Sequence, residues 1–184
     1  MGLFDRFKKK KMTTHKEIAD VLANVKKLLN MDIKDIWDLE EDCHSFVTAM
    51  HGWICRKCSY GENISALTDE ERVFFIVMEL EAEVTNGGFD QYLFNSSGEF
   101  ANELLSSLYT VGADKTAIIF QRALDAIGCK VPSNREQRIV LLQELCTDEI
   151  SAIFDECDNE FYEEPDDIET LCYQFILKNK SRFM

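Results

Sequence analysis

The spacing of apolar residues constrains the fold most, because these residues recur every three or four positions along almost the whole chain of 184 residues. In the first such stretch Ile18, Val21, Leu22, Val25 and Leu29 fall on one face of a helix. Alternating patterns typical of strands are rare, and the chain contains only two prolines. The pattern therefore predicts an all-α fold, a single compact domain of about eight or nine helices without an internal repeat.

Local capping signals predict where these helices begin and end. Thr68 and Glu71 form a capping box at the start of a strongly apolar helix, which we expect to be the central buried one. The segment 86–88, Asn-Gly-Gly, is expected to end that helix, because Asn and Gly adopt the left-handed backbone conformation at little cost. Later helices are expected to begin at polar residues, namely Asp114, Ser133 and Thr147 as caps, with Asp166 and Asp167 in the first turn of the last helix.

Composition narrows the class of protein. Apolar residues make up 46% of the chain, which is enough for a sizeable core, and the longest apolar run, 73–78, is too short to cross a bilayer. No secretory signal is visible, and the seven cysteines lack the spacing of a disulfide framework. We therefore expect reduced thiols and a cytoplasmic location, as in a soluble bacterial protein.

Charge is distributed unevenly along the chain, whose formal net charge is −14. Residues 1–30 contain eight basic and three acidic side chains, whereas residues 31–184 contain twelve basic and thirty-one acidic ones. The run of four lysines at 8–11 indicates a basic, flexible N-terminal tail over residues 1–12, too short for stable membrane association. Residues 13–184 are then expected to form the acidic helical domain.

The strongest charge anomaly lies between Arg138 and Lys178, where twelve acidic side chains occur without one basic residue. Solvated helices usually alternate the two signs, because like charges one turn apart are destabilising. An acidic surface repels nucleic acids and attracts basic proteins. The residues expected to contact a basic partner are Asp155, Glu156, Asp158, Glu160, Glu163, Glu164, Asp166 and Asp167.

Motifs for catalysis are missing from the sequence: it contains no GxSxG, GxGxxG or P-loop pattern, and we assign no catalytic residue, metal ligand or cofactor. Cys55 and Cys58 form a CxxC pair, but a second pair at zinc-finger spacing is missing. A polar pocket is the other alternative, formed by Glu83, Asn86, Gln91 and Asn95 around the Gly-Gly bend. These two groups keep a small enzyme or a metal-binding protein open as an alternative function.

The segment around this bend resembles a known family. The matching residues are Glu83-Val84-x-Asn86-Gly87-Gly88-Phe89-x-Gln91-Tyr92, followed by Asn95-Ser96, together with the acidic end from Phe154 to Asn179. They resemble the NGGF signature of a bacterial domain-of-unknown-function family that contains an acidic DNA-mimic protein. The resemblance covers about residues 65–184. It implies an all-helical fold with an acidic face, and for the DNA mimic it implies occupation of the DNA-binding surface of another protein.

Charge and resemblance together favour a non-enzymatic acidic protein-binding module that acts as a DNA mimic. Its expected partner is a basic DNA-binding protein, such as a transcription regulator, a nucleoid protein or a nuclease. We expect no direct binding to nucleic acid, because repulsion by the acidic body outweighs the basic tail. The sequence leaves a homodimer open. By itself the Gly-Gly segment is expected to serve the fold, with Gly88 allowing a close approach between helices.

Overall fold

The computed structural model describes residues 15–145 and 147–184 and shows an all-α protein. Across these residues there are nine α-helices and no β-strand, which confirms the predicted fold class. The helices are α1 His15–Leu29, α2 Ile33–Ile36, α3 Cys43–Lys57, α4 Asp69–Phe94, α5 Ala101–Val111, α6 Asp114–Ile127, α7 Arg135–Leu145, α8 Asp148–Tyr162 and α9 Ile168–Lys178. The basic segment 1–12 lies outside the described residues, so its predicted flexibility stays a prediction. None of the described helices is both long and apolar enough to cross a membrane.

Several predicted helix boundaries are confirmed by the hydrogen bonds at the caps. At the start of α4 the Thr68 N–H donates to Glu71 Oε2 at 2.8 Å, and the Glu71 N–H donates to Thr68 Oγ1 at 3.2 Å. Thr147 caps α8 by accepting from the Ile150 N–H at 3.3 Å. Inside α4 the backbone leaves the helical conformation at Gly87 and Gly88, where the helix was predicted to end.

Other predicted boundaries are wrong by one or two residues. Asp114 does not cap α6: it is the first helical residue, and the residue in the capping position is Ala113. The N–H of Gln137 is capped by Asn134 at 3.0 Å, one residue later than the predicted Ser133. Helix α9 begins at Ile168, so Asp166 and Asp167 both precede it. Sequence patterns locate helices better than their terminal residues, because several polar residues near each end can serve as the cap.

Two compact units are present, one comprising the chain up to Phe75 together with Glu169–Met184, and the other comprising Ile76–Ile168. The boundary falls within α4.

The first unit is built around aromatic side chains from its helices and its C-terminal segment. Phe74 and Phe183 are both fully buried, with ring centroids 6.1 Å apart. Helix α1 packs against α3. At the end of α3 the Lys57 Nζ lies 2.7 Å and 2.8 Å from the two carboxylate oxygens of Glu71, a side chain that is fully buried. The buried carboxylate is therefore both a helix cap and an ion-pair partner, which satisfies its charge.

The second unit has its core where α6 packs against α8 and α5. Phe89, directly after the break in α4, stacks on Phe120 of α6 with ring centroids 5.9 Å apart and meets Phe161 of α8 edge-on at 5.9 Å. Tyr92 meets Phe120 edge-on at the same distance. The bend thus directs the last turns of α4 into the core. The prediction that this segment serves the fold agrees with this packing.

Candidate protein-binding face

Helix α8 separates apolar and acidic residues on opposite sides. Its buried side carries Phe154, Cys157 and Phe161. The opposite side, with the residue that directly follows the helix, carries six exposed carboxylates, which we call the α8 face: Asp148, Glu149, Asp155, Glu156, Glu160 and Glu163. Residues seven apart lie on nearly the same side of a helix, about 10.5 Å apart along its axis, as for Glu149, Glu156 and Glu163. The face is therefore a continuous acidic row along the helix.

The α8 face only partly coincides with the residues predicted from charge alone. Asp148 and Glu149 belong to it but were not among the predicted contact residues. The seven-residue spacing, from Asp148 to Asp155 and from Glu149 to Glu156 and Glu163, is the sequence signal that could have identified them. Asp158, although predicted as a contact residue, is half-buried and lies outside the row.

The carboxylate of Asp158 is directed at the bend in α4. Its Oδ1 accepts a hydrogen bond from the Phe89 N–H at 2.8 Å, so it caps the last turns of α4. A β-carbon on Gly88 would lie 2.1 Å from Asp158 Oδ2. Loss of hydration raises the pKa of Asp158, and the charges of Asp90 and Asp155 raise it further, whereas the bond from Phe89 opposes this shift. Asp158 is therefore a structural residue whose charge is destabilising.

Replacement of Asp158 separates its hydrogen bond from its charge. We expect Asp158→Asn to keep an acceptor for the Phe89 N–H while removing the repulsion from Asp90 and Asp155, so that the melting temperature at pH 7 rises. Asp158→Ala should lower the free energy of unfolding by about 1–2 kcal/mol through loss of the cap. Thermal unfolding of both variants measures the two effects.

The difference in stability between Asp158→Asn and the unmodified protein is expected to depend on pH. Because the pKa of Asp158 is raised in the folded state, its contribution to stability is complete below the unfolded pKa of about 3.9 and is lost as the pH rises through the higher folded value. The stability advantage of Asp158→Asn over the unmodified protein should therefore grow between about pH 4 and pH 7. A difference that stays constant over this range would contradict the assigned repulsion.

Asp166 is also used by the fold. Its Oδ2 accepts from the Thr116 N–H at 2.7 Å and from the Thr116 hydroxyl at 3.0 Å, which caps α6 from the loop before α9. Beside it, Lys115 Nζ donates to the Pro165 carbonyl at 3.0 Å. Asp166 thus supplies the cap that was predicted for Asp114.

The remaining predicted contact residues differ in how they are engaged. Glu160 is paired with Arg122 of α6, with 2.9 Å between Oε1 and a guanidinium nitrogen. Glu164 is half-buried and has a left-handed backbone, with φ +52°. Asp167 is exposed, immediately before α9. Three exposed carboxylates make no side-chain hydrogen bond or ion pair with any described residue: Asp155, Glu156 and Glu163.

Three of the four residues of the predicted polar pocket do come together. Glu83 Oε2 accepts from Gln91 Nε2 at 2.7 Å and from Asn95 Nδ2 at 2.9 Å. The Ser97 hydroxyl donates to Glu79 Oε2 at 2.9 Å and lies 3.4 Å from Glu83 Oε1.

The fourth predicted residue, Asn86, is exposed and forms no side-chain hydrogen bond with any described residue of this cluster. The bonded residues lie before and after the bend in α4, so they hold its two parts together. A β-carbon on Gly87 would lie 2.2 Å from Gln91 Oε1, so the Gln91 side chain fills the space beside that glycine. The cluster is thus a polar clamp across the bend, with the Glu83 carboxylate already hydrogen-bonded.

Arg138 is a structural residue of this region that sequence reasoning did not identify. Its side chain is fully buried and donates to four backbone carbonyls, those of Leu93 at 2.6 Å, Asn95 at 2.7 Å, and Pro132 and Ser133 at 2.9 Å each. Loss of hydration lowers its pKa, and the charge of Glu99 opposes this shift. In the sequence nothing distinguishes this arginine from an exposed one on a helix.

The CxxC pair lies at the end of α3. Cys55 and Cys58 are both buried and both free thiols, and the Cys58 thiol donates to the Cys55 carbonyl at 3.6 Å. Burial of this kind is typical of small apolar packing residues.

Comparison with known proteins identifies one related family. The model of the family described as DMP19-like protein matches residues 65–179. This segment contains helices α4 to α9, and therefore the α8 face and the polar clamp, whereas Cys55 and Cys58 precede it. No curated protein and no solved structure matches the chain significantly.

Proposed function

The chain belongs to the DMP19-like protein family, and from this premise we propose that it is an acidic protein-binding module that mimics DNA. Its α8 face occupies the DNA-binding surface of a basic protein, such as a transcription regulator, a nucleoid protein or a nuclease. The family resemblance supports the mimicry. The site itself is inferred from the charges of this chain.

One observation carries the proposal: the carboxylates of Asp155, Glu156 and Glu163 are exposed and make no polar side-chain contact within the described part of the chain. A seven-residue interval on α8 spans about 10.5 Å, close to the axial distance of about 10 Å across three phosphate steps of one DNA strand. A basic surface that binds phosphates can therefore meet carboxylates at a similar interval. Attraction of this kind accelerates association and weakens as salt increases.

The needs of the fold do not explain these charges. The last turn of α8 contains no basic residue, and Glu163 lies at its C-terminal end, where the helix dipole disfavours negative charge. Local rules broken without a structural gain are typical of functional surfaces.

Neutralising the three unengaged carboxylates tests the proposal. We expect the variant Asp155→Asn, Glu156→Gln, Glu163→Gln to keep its fold while capturing roughly tenfold less of its basic partners. The measurement is recovery of proteins from the organism's lysate on the immobilised chain, at about 50 and about 200 mM salt. Duplex DNA added as a competitor should release the same proteins, while a gel shift with duplex alone should show no binding.

The matched control removes the same number of charges elsewhere. Glu62, Glu136 and Glu144 are exposed acids outside the α8 face, and their replacement by glutamine changes the net charge equally. We expect this control to retain its partners. Equal capture by the two variants would show that net charge, and not the α8 face, attracts them, and partners that DNA does not release would rule out mimicry.

A further inference from the structure

A second acidic region lies in the first unit, beside aromatic rings. An open groove with a volume of about 440 Å³ is lined by Trp37, Asp38, Glu40, Glu41 and Tyr173. Four of these residues precede the segment that the family model matches. The groove is therefore a feature of this chain that family membership does not explain.

The aromatic side of the groove is held in place by the core. The Trp37 and Tyr173 rings both contact Phe46, which is fully buried, with centroid distances of 5.2 Å and 5.7 Å. The Tyr173 hydroxyl donates to the Glu40 carbonyl at 2.7 Å, which ties the segment after Trp37 to α9. Both rings are half-buried, so part of each remains accessible. The groove is thus a preorganised site.

The ammonium group of one lysine of the chain already contacts two residues that line the groove. Lys180 Nζ lies 4.3 Å from the centroid of the Trp37 ring and 2.9 Å from Glu40 Oε2. Both side chains of this ion pair are exposed, to 50% and 44%, so the bridge is weak and replaceable. The contact shows that the geometry accepts a cation against the indole ring.

Two further carboxylates of the groove are not engaged by Lys180. Asp38 and Glu41 are exposed and make no side-chain hydrogen bond or ion pair with any other described residue. One ammonium therefore does not use the whole site. A guanidinium group can stack on an aromatic ring and donate to carboxylates at the same time, which an ammonium group does less well.

We propose that this groove is a docking site for a cationic side chain of a partner protein, arginine in preference to lysine. Lys180 contacts Trp37 and Glu40 in the free protein and is displaced from them when the partner binds. The proposal does not depend on the α8 face, because every residue that forms the groove belongs to the first unit.

Removal of Lys180 is the sharpest test. Lys180→Met should tighten binding of a short two-arginine peptide by about two- to fivefold, because the internal competitor is gone. Lys178→Met is the matched control: this lysine is exposed on the same segment, and its loss changes the net charge equally without removing a contact to Trp37 or Glu40. Calorimetric titration measures the affinities. Equal tightening by both variants would overturn the displacement and leave only a general charge effect.

The aromatic contact and the choice of ligand are tested separately. Trp37→Leu should weaken binding about three- to tenfold, and the indole N–H signal of Trp37 should shift on titration while that of Trp53 does not. The same peptide with lysines should bind more weakly, and with citrullines not at all. The triple variant of the α8 face should bind the peptide normally. Lost binding in that variant, or an unchanged Trp37 signal, would place the peptide elsewhere and refute the site.

Discussion

Gly88→Ala is expected to lower the free energy of unfolding by about 3 kcal/mol or more, a large part of the total stability of an ordinary domain. Gly88 has φ +79° and ψ −179°, a region that is essentially restricted to glycine. The added β-carbon would also lie 2.1 Å from Asp158 Oδ2. For a chain of this length the melting temperature should fall by about 6–12 °C.

Gly128→Ala is the matched control for this prediction. Gly128 also has a positive φ, +69°, but it lies in the ordinary left-handed region, and the nearest atom to an added β-carbon is 3.9 Å away. We expect Gly128→Ala to lower the free energy of unfolding by about 1 kcal/mol. The double variant Gly88→Ala, Asp158→Ala should be less unstable than the two separate losses would suggest, since the clash is relieved. Equal melting temperatures for alanine at 88 and at 128 would show that the bend relaxes without strain.

Arg138→Met is expected to lower the free energy of unfolding by about 3–5 kcal/mol, which is the second large effect. Methionine fills much of the same volume, but it leaves the carbonyls of Leu93, Asn95, Pro132 and Ser133 without this donor. Arg138→Lys should recover only part of the loss, because one ammonium cannot reproduce the planar set of donors. Denaturant unfolding measures both variants.

Arg135 provides the comparison on the same helix. It is exposed, donates to the Phe94 carbonyl at 3.1 Å and lies over the Phe94 ring at 5.5 Å. We expect Arg135→Met to cost less than about 1 kcal/mol. If the variants at 135 and 138 were equally stable, the four carbonyls would have other donors, and the role assigned to Arg138 would be wrong.

Local interactions explain what the sequence predicts well. The capping box of Thr68 and Glu71 depends on residues three apart, and the helices depend on apolar spacing over a few turns. The left-handed glycines at 112 and 128 end α5 and α6 for equally local reasons.

Long-range contacts explain what the sequence does not predict. From the sequence alone, Asp158 and Asp166 are expected to be surface acids. In the structure they cap the backbone N–H groups of Phe89 and Thr116, which lie far away along the chain. Arg138 is buried for the same kind of reason, since carbonyls from two separate segments surround it. The groove at Trp37 depends on Tyr173, which lies on α9. Apolar periodicity and charge counts do not predict such contacts, because the residues come together only in the packed structure.

The bond between Asp158 and Phe89 also sets an order of events during synthesis. The turns of α4 after the bend, residues 89–94, are too short to remain helical alone, and their cap lies 69 positions later in the chain. At about 5–20 residues per second, the ribosome adds that distance in roughly 3–14 seconds. Until then Phe89 and Tyr92, both destined for the core, have neither their cap nor α8 to pack against. The nascent chain thus carries exposed aromatic side chains for seconds, the interval in which a chaperone could bind it.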